Sequence, residues 1–245
     1  MGISIAGQSH AGAVRGGNQD VVAWTFSEDG NSAVALVADG MGGYQGGEVA
    51  SQIAAETLTE SLAAGLGGQC QDIPGQLKAG FVLANARIAE RRGAEPLLEK
   101  MGTTLVVVWL AGQQAHIAHV GDSRCYLVRH DRISCLTRDD TVVRKMLEDG
   151  SITEADVPHV PFRNVLTRAV GAMDPVELSY CCQPLEYGDR LRLCSDGLTN
   201  SVAEADWHDI LQNGRNDAVV EALIGAALEN QASDNVSVVL MTLDE

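Results

Sequence analysis

The stretch TTLVVVWLAGQQAHIAHVGDSRCYLVRHDRISCL, residues 103–136, decides the fold class. Thr103 to Leu110, Ala115 to Val120, Arg124 to Val128 and Ile133 to Leu136 are short apolar or alternating runs rich in Val, Ile and Leu. Each is too short for a helix and bounded by polar or glycine residues, which is the signature of strands. The gaps AGQQ, GDS and RHDR leave room only for tight connections, so consecutive strands are expected to pair antiparallel as hairpins.

Upstream, Ile3-Ser4-Ile5 alternates. Val21 to Phe26 and Ala33 to Ala38 read as a hairpin about the turn Glu28-Asp29-Gly30-Asn31. Two helices follow, Glu48 to Ala64 and Gly75 to Arg92, the second carrying Leu77, Phe81, Ala84 and Ile88 on one face and ending at Gly93 and Pro96. Beyond residue 136 the period breaks. A short helix near Val142 to Leu147, the proline-bearing VPHVPFRN and then LTRAVG make an irregular excursion, of the kind that often carries function. Val176 to Gln183 and Arg190 to Cys194 are read as strands, Ala203 to Leu211 and Asp217 to Asn230 as helices, and Val236 to Leu243 as a closing strand. Grouped strands with helix pairs between and after them define an α+β protein, one domain over residues 1–245. Its centre is an antiparallel β-sandwich, with helices on both outer faces.

The chain has 245 residues, 17 Lys+Arg and 33 Asp+Glu, for a formal charge of −16. That excess argues against a nucleic-acid footprint or a membrane-surface patch. With 45% hydrophobic residues, disorder is excluded too. No signal peptide is readable and the longest apolar run, Leu105 to Ala111, is far short of a span, so a cytoplasmic protein is expected. Cys70, Cys125, Cys135, Cys181, Cys182 and Cys194 lack CxxC spacing and read as buried reduced thiols.

Four aspartates stand apart from the acids on helices and turns. Asp39 follows AVALVA, Asp122 follows AHIAHVG, Asp196 follows LRLCS and Asp234 precedes NVSVVLMT, so each lies where an apolar strand meets a loop. Rigid strand ends place side chains accurately. Carboxylates that converge need cations to stay ionised, and an oxygen-only set without Cys or His at ligand spacing selects Mg²⁺ or Mn²⁺. Ligands spread over the whole chain exclude an EF-hand. GMGGYQGGE is not followed by Gly-Lys-Ser/Thr, so it is not a P-loop, and Ser195 has no triad context.

RGGNQD (15–20), DGMGGYQGGEVAS (39–51), MGTTL (101–105), HVGDSRCYL (119–127), LTRAVG (166–171), CSDGLTN (194–200) and SDNVSVV (233–239) occur in order along the chain. Together they closely resemble the bacterial metal-dependent Ser/Thr protein phosphatases, the PPM or type 2C family. The resemblance spans essentially the whole chain. It implies a two-metal centre in which Asp39 bridges both ions, the Gly40 carbonyl ligates one, and Asp196 and Asp234 complete the other. Asp122 resembles the residue that, with Asp196, holds a third, weaker ion in bacterial members. It further implies Asp20 as an acid hydrogen-bonded to metal waters, Arg15 as the grip on the substrate phosphate, and a mobile flap near 138–175 on which Arg163 is a candidate substrate contact.

The activity implied is hydrolysis of phosphoserine and phosphothreonine in proteins by a water bridging Mn²⁺ or Mg²⁺, with no phosphoenzyme. Implied partners are phosphoproteins and an opposing bacterial Ser/Thr kinase, with the chain a monomer. The alternative is a catalytically silent phosphoprotein-binding module, which a missing ligand aspartate would favour. Gln19 departs from the acid of the RxxNED form, while Asp20 is retained. None of His10, His116, His119, His130, His159 or His208 matches the general acid of animal members, and His119 reads as a satisfied core residue on its strand.

Overall fold

The computed structural model describes residues 2–42, 46–67, 72–211 and 214–245, apart from the side chain of Asp209. Cys70 and the segment 43–45 of the DGMGGYQGG loop lie outside the described residues. Along the chain run β1 (Gly2–His10), β2 (Asp20–Phe26), β3 (Ser32–Met41), α1 (Gly46–Leu66), α2 (Ile73–Ala94), β4 (Gly102–Thr103), β5 (Leu105–Ala111), β6 (Gln114–Val120), β7 (Arg124–Arg129) and β8 (Arg132–Cys135). Then come α3 (Val142–Glu148), β9 (Ser179–Pro184), β10 (Arg190–Cys194), α4 (Asp196–Ser201), α5 (Trp207–Leu211), α6 (Asn216–Glu229) and β11 (Val236–Asp244).

Two antiparallel sheets form the centre, in the orders β1-β11-β10-β7-β8 and β2-β3-β5-β6-β9, with β4 added to β3. Their inner faces meet through Ala33, Ala35, Val37, Val106, Val108, Leu110, Leu191 and Leu193. Val34, Leu36, Leu105, Val107 and Trp109 point the other way, under Leu58 and Leu62 of α1 and Leu77 and Phe81 of α2. Central strands are therefore buried on both faces, which is why AVALVA and LVVVWL read as unbroken apolar runs rather than alternating ones. The outer face of the first sheet, Tyr126, Cys194, Val238 and Leu240, lies under α4, α5 and α6. The order of layers is helix, sheet, sheet, helix, as the sequence implies.

One connection differs from the sequence reading. AGQQ and RHDR turn β5 into β6 and β7 into β8 as hairpins, but GDS carries the chain from one sheet to the other. The ladder cannot continue there, because both backbone groups of Gly121 are taken: its N–H donates to Asp140 Oδ2 (3.0 Å) and its carbonyl accepts from the Asp140 amide (2.9 Å). Gly121 also has φ +101°, so the chain leaves the sheet at a residue whose backbone a side chain would strain. The thiols differ too: Cys125 and Cys194 are buried, whereas Cys135 and Cys182 are exposed and Cys181 is half-buried, all five unbridged. No described helix is long and apolar enough to cross a membrane.

Candidate metal and phosphate site

Sheet register brings the first two acids together. Asp20 opens β2 and lies opposite Asp39 near the end of β3. Asp39 is fixed through its backbone: its N–H donates to Thr104 Oγ1 (3.2 Å), and its carbonyl accepts from the Thr104 amide and Thr103 Oγ1, both at 2.9 Å. The next residue packs on the start of α1 so closely that a Cβ on Gly40 would fall 2.1 Å from the Gly47 carbonyl oxygen. Only glycine allows that approach.

Asp196 begins α4, a short helix where the sequence suggested only a loop. Gly197 presses it against the segment leading into β11, since a Cβ there would lie 1.9 Å from the Asn235 carbonyl oxygen. That contact places Asp196 beside Asp234. Asp122 comes from the crossing turn between the sheets, so five carboxylates gather at one edge of the sandwich.

Their electrostatics show the crowding. Asp39 is pushed well above the usual carboxylate range by burial and then by the charges of Asp20, Asp196, Asp122 and Asp234. Burial, then Asp196 and Asp139, lift Asp122 to about 8. Burial also raises Asp20, to about 6, against the lowering effect of the Ser237 hydroxyl, which donates to its Oδ2 at 2.7 Å. Asp196 is raised by burial and by Asp234. Asp39 thus has the Asp20 and Asp196 carboxyl groups as close neighbours.

Cations would reverse this balance, and the donor set fits hard divalent ions: carboxylate oxygens, a glycine backbone approached closely, and the buried Oδ1 of Asp20, which receives no donor. Among the described residues no three His, Cys, Asp or Glu side chains close on one point. Several of the acids are instead held by separate protein donors, Asp196 by Asn200 Nδ2 (3.0 Å) and Asp234 by Arg15.

Arg15 pairs directly with one of these acids. Its Nη2 donates to Asp234 Oδ2 at 2.9 Å, and its side chain remains 56% exposed. The loop that carries it is pinned by Asn235, a residue the sequence reading did not single out. Asn235 Nδ2 donates to the carbonyls of Ala11 (3.0 Å) and Gly17 (2.9 Å), and its Oδ1 accepts from the Gln19 amide (2.9 Å). An Asn directly after a strand-end Asp, in SDNV, was the available signal. Arg163 is exposed on the excursion, and among the described residues it forms no ion pair. His119 is buried as expected, but only its Nε2 is satisfied, at 2.8 Å from the Arg138 carbonyl; Nδ1 has no partner.

Comparison with known proteins bears on the fold and the family. The chain superposes on the crystal structure of the Mycobacterium tuberculosis serine/threonine phosphatase PstP/Ppp with a TM-score of 0.89 and 34% identity, covering 100% of both chains. The catalytic domain of PstP in complex with two manganese ions matches with a TM-score of 0.87 and 34% identity over 99% of both chains. In sequence, the serine/threonine phosphatase stp of Listeria welshimeri is 36% identical over 234 residues, 94% of this chain and 92% of the relative. The family model for protein phosphatase 2C matches residues 6–229. The chain belongs to the protein phosphatase 2C family.

Proposed function

We propose that this protein hydrolyses phosphoserine and phosphothreonine esters in proteins, with Mn²⁺ or Mg²⁺ held by Asp39, the Gly40 carbonyl, Asp196 and Asp234, and a third ion by Asp122 with Asp196. The observation that carries the reading is a gathering of five carboxylates at one sandwich edge with one arginine directed into it. When bound, such ions lower the pKa of water and offset charge developing on the phosphoryl group.

The chain's own residues supply the rest. Arg15 has a planar fork suited to two phosphoryl oxygens, and its exposed pairing with Asp234 leaves it able to exchange that carboxylate for a substrate phosphate. Asn235 sets the position of the loop from which Arg15 reaches. Asp20, fixed by Ser237, holds a carboxylate oxygen toward the cluster for water. We assign residues 138–175 as a flap that borders the site, with Arg163 contacting the protein part of the substrate. The chain acts as one catalytic domain, a monomer in the cytoplasm opposing a Ser/Thr kinase. All the candidate aspartates are present, which disfavours a silent binding module.

The test is phosphate release from a phosphothreonine peptide with Mn²⁺ and with EDTA. Turnover with Mn²⁺ that EDTA abolishes is expected. Turnover unaffected by EDTA would remove the metal reading, and peptide binding without release would favour the silent module.

A further inference from the structure

The turn that carries Asp122 is fastened to the excursion through Asp140, which is itself held by an ion pair with Arg168. Asp140 accepts the Gly121 N–H with Oδ2 and returns its own N–H to the Gly121 carbonyl. Its other oxygen, Oδ1, accepts from Arg168 Nη2, in a pair whose carboxylate is only 6% exposed. Arg168 belongs to the LTRAVG segment, on the returning limb of the excursion. The same Nη2 donates to Ser179 Oγ (3.1 Å) at the start of β9, and Nη1 donates to the Glu177 carbonyl (3.3 Å). The Thr167 amide donates to the Asp140 carbonyl (2.7 Å).

One guanidinium therefore joins the outgoing limb, the returning limb and β9 to the turn. A second clamp lies beside it: Arg124, two residues after Asp122, holds Asp139 through both oxygens, at 2.8 and 2.6 Å. A bidentate pair of this kind fixes orientation as well as distance.

We propose that Arg168, acting through Asp140, is a positioning residue for Asp122, so that the placement of this candidate ligand and the order of the 138–175 segment are set together. The inference rests on the functional reading above. Residues that orient metal ligands from behind typically cost 10–100-fold in metal affinity when removed, and a buried carboxylate left without its partner has reason to move.

The test uses the full chain as wild type, Arg168→Gln and Arg168→Lys. Mn²⁺ binding is followed by electron paramagnetic resonance, and amide exchange by mass spectrometry over residues 119–123 and 138–175. Arg168→Gln is expected to weaken the weakest class of Mn²⁺ about tenfold or more, leave the tighter class in place, and raise exchange in both segments together. Arg168→Lys, which keeps the charge but cannot reach three acceptors at once, should lie between. If Arg168→Gln does not fold, Arg168→Lys carries the same test in a smaller step. Unaltered Mn²⁺ binding, or faster exchange confined to 138–175, would overturn the proposal. A wild-type protein that binds no Mn²⁺ would overturn the functional reading and this inference with it, and that result would be visible before any substitution is compared.

Discussion

Two places in this protein hold charge out of water, and they solve the problem in opposite ways. At the sandwich edge Asp20 is buried and Asp39, Asp122 and Asp196 are half-buried against one another, and desolvation raises them all. On the outer face of the other sheet Arg192 is 0% exposed, and Nε, Nη1 and Nη2 have no hydrogen-bond partner. Its guanidinium is stacked 3.4 Å from the centre of the Trp207 ring and lies 4.4 Å from that of Tyr126. Aromatic faces can offset part of the cost of burying a cation without any counter-ion. Carboxylates have no such remedy, so the acidic edge stays frustrated until cations arrive. One region is a completed piece of core; the other is built to bind.

The largest effect should separate stability from activity at the acidic edge. Asp39→Asn removes the acid most burdened by its neighbours. Phosphatase activity with Mn²⁺ should fall by roughly 10³-fold or more. In EDTA the same variant should be more stable than wild type by about 1 kcal/mol, and so melt higher, because one like charge has left a crowded cluster. Peptide turnover and thermal melts with EDTA check both signs. A variant less stable than wild type without metal would show that the acids are not in conflict.

Arg192 should respond in the opposite sense. Arg192→Ala leaves a void among Tyr126, Trp207 and the helices, and about 2–4 kcal/mol of destabilisation is expected by denaturant unfolding. Arg192→Met fills similar space without burying a charge and should be as stable as wild type or more so. Both should keep wild-type KM. If Met costs as much as Ala, the cation itself is held by something the stacked rings alone do not supply.

How far these features were legible follows from where their causes lie. AVALVA and LVVVWL could be read because burial on both faces leaves unbroken apolar runs. The sheet change at GDS could not, since a three-residue gap suits a hairpin and what prevents it is Asp140, nineteen residues later. Helix α4 was hidden for a local reason: DGLTNS holds poor helix formers and is six residues long. The strand-end aspartates were legible through position, while Asn235 drew no notice because its work is with backbone carbonyls of residues 11 and 17, at the other end of the chain. Arg192, between Leu191 and Leu193, alternates as a solvent-facing residue should. It does point out of the sandwich, but Trp207 covers it.

Arg15 is the cation that pairs directly with an acid of the cluster, and its removal should be a smaller matter than loss of Asp39. Arg15→Ala is expected to lower kcat/KM by roughly 10–30-fold, mostly through KM, as for a charged hydrogen-bonded pair of about 1.5–2 kcal/mol. Steady-state kinetics on the phosphothreonine peptide decide it. Unchanged KM and kcat would reduce Arg15 to a partner of Asp234.

The smallest effect tests whether a neutral buried base follows the same rule. His119 lies at the end of β6, just before the sheet crossing, with Nδ1 unpartnered and the charges of Asp140, Arg168 and Asp139 nearby. Burial lowers its pKa below the ordinary 6.5, opposed by its bond to the Arg138 carbonyl. The unfolded chain therefore takes up this proton first as pH falls. The contribution of His119 to stability is complete above about pH 6.5 and is lost progressively below it, at no more than about 1.4 kcal/mol per pH unit. Melting curves from pH 7.5 to 5 should fall less steeply for His119→Gln than for wild type. The difference between the two slopes removes the background from the carboxylates, whose raised values act in the opposite direction. Parallel slopes would mean that His119 titrates alike in both states, and that this end of β6 tolerates charge that the Arg192 pocket accepts only between aromatic rings.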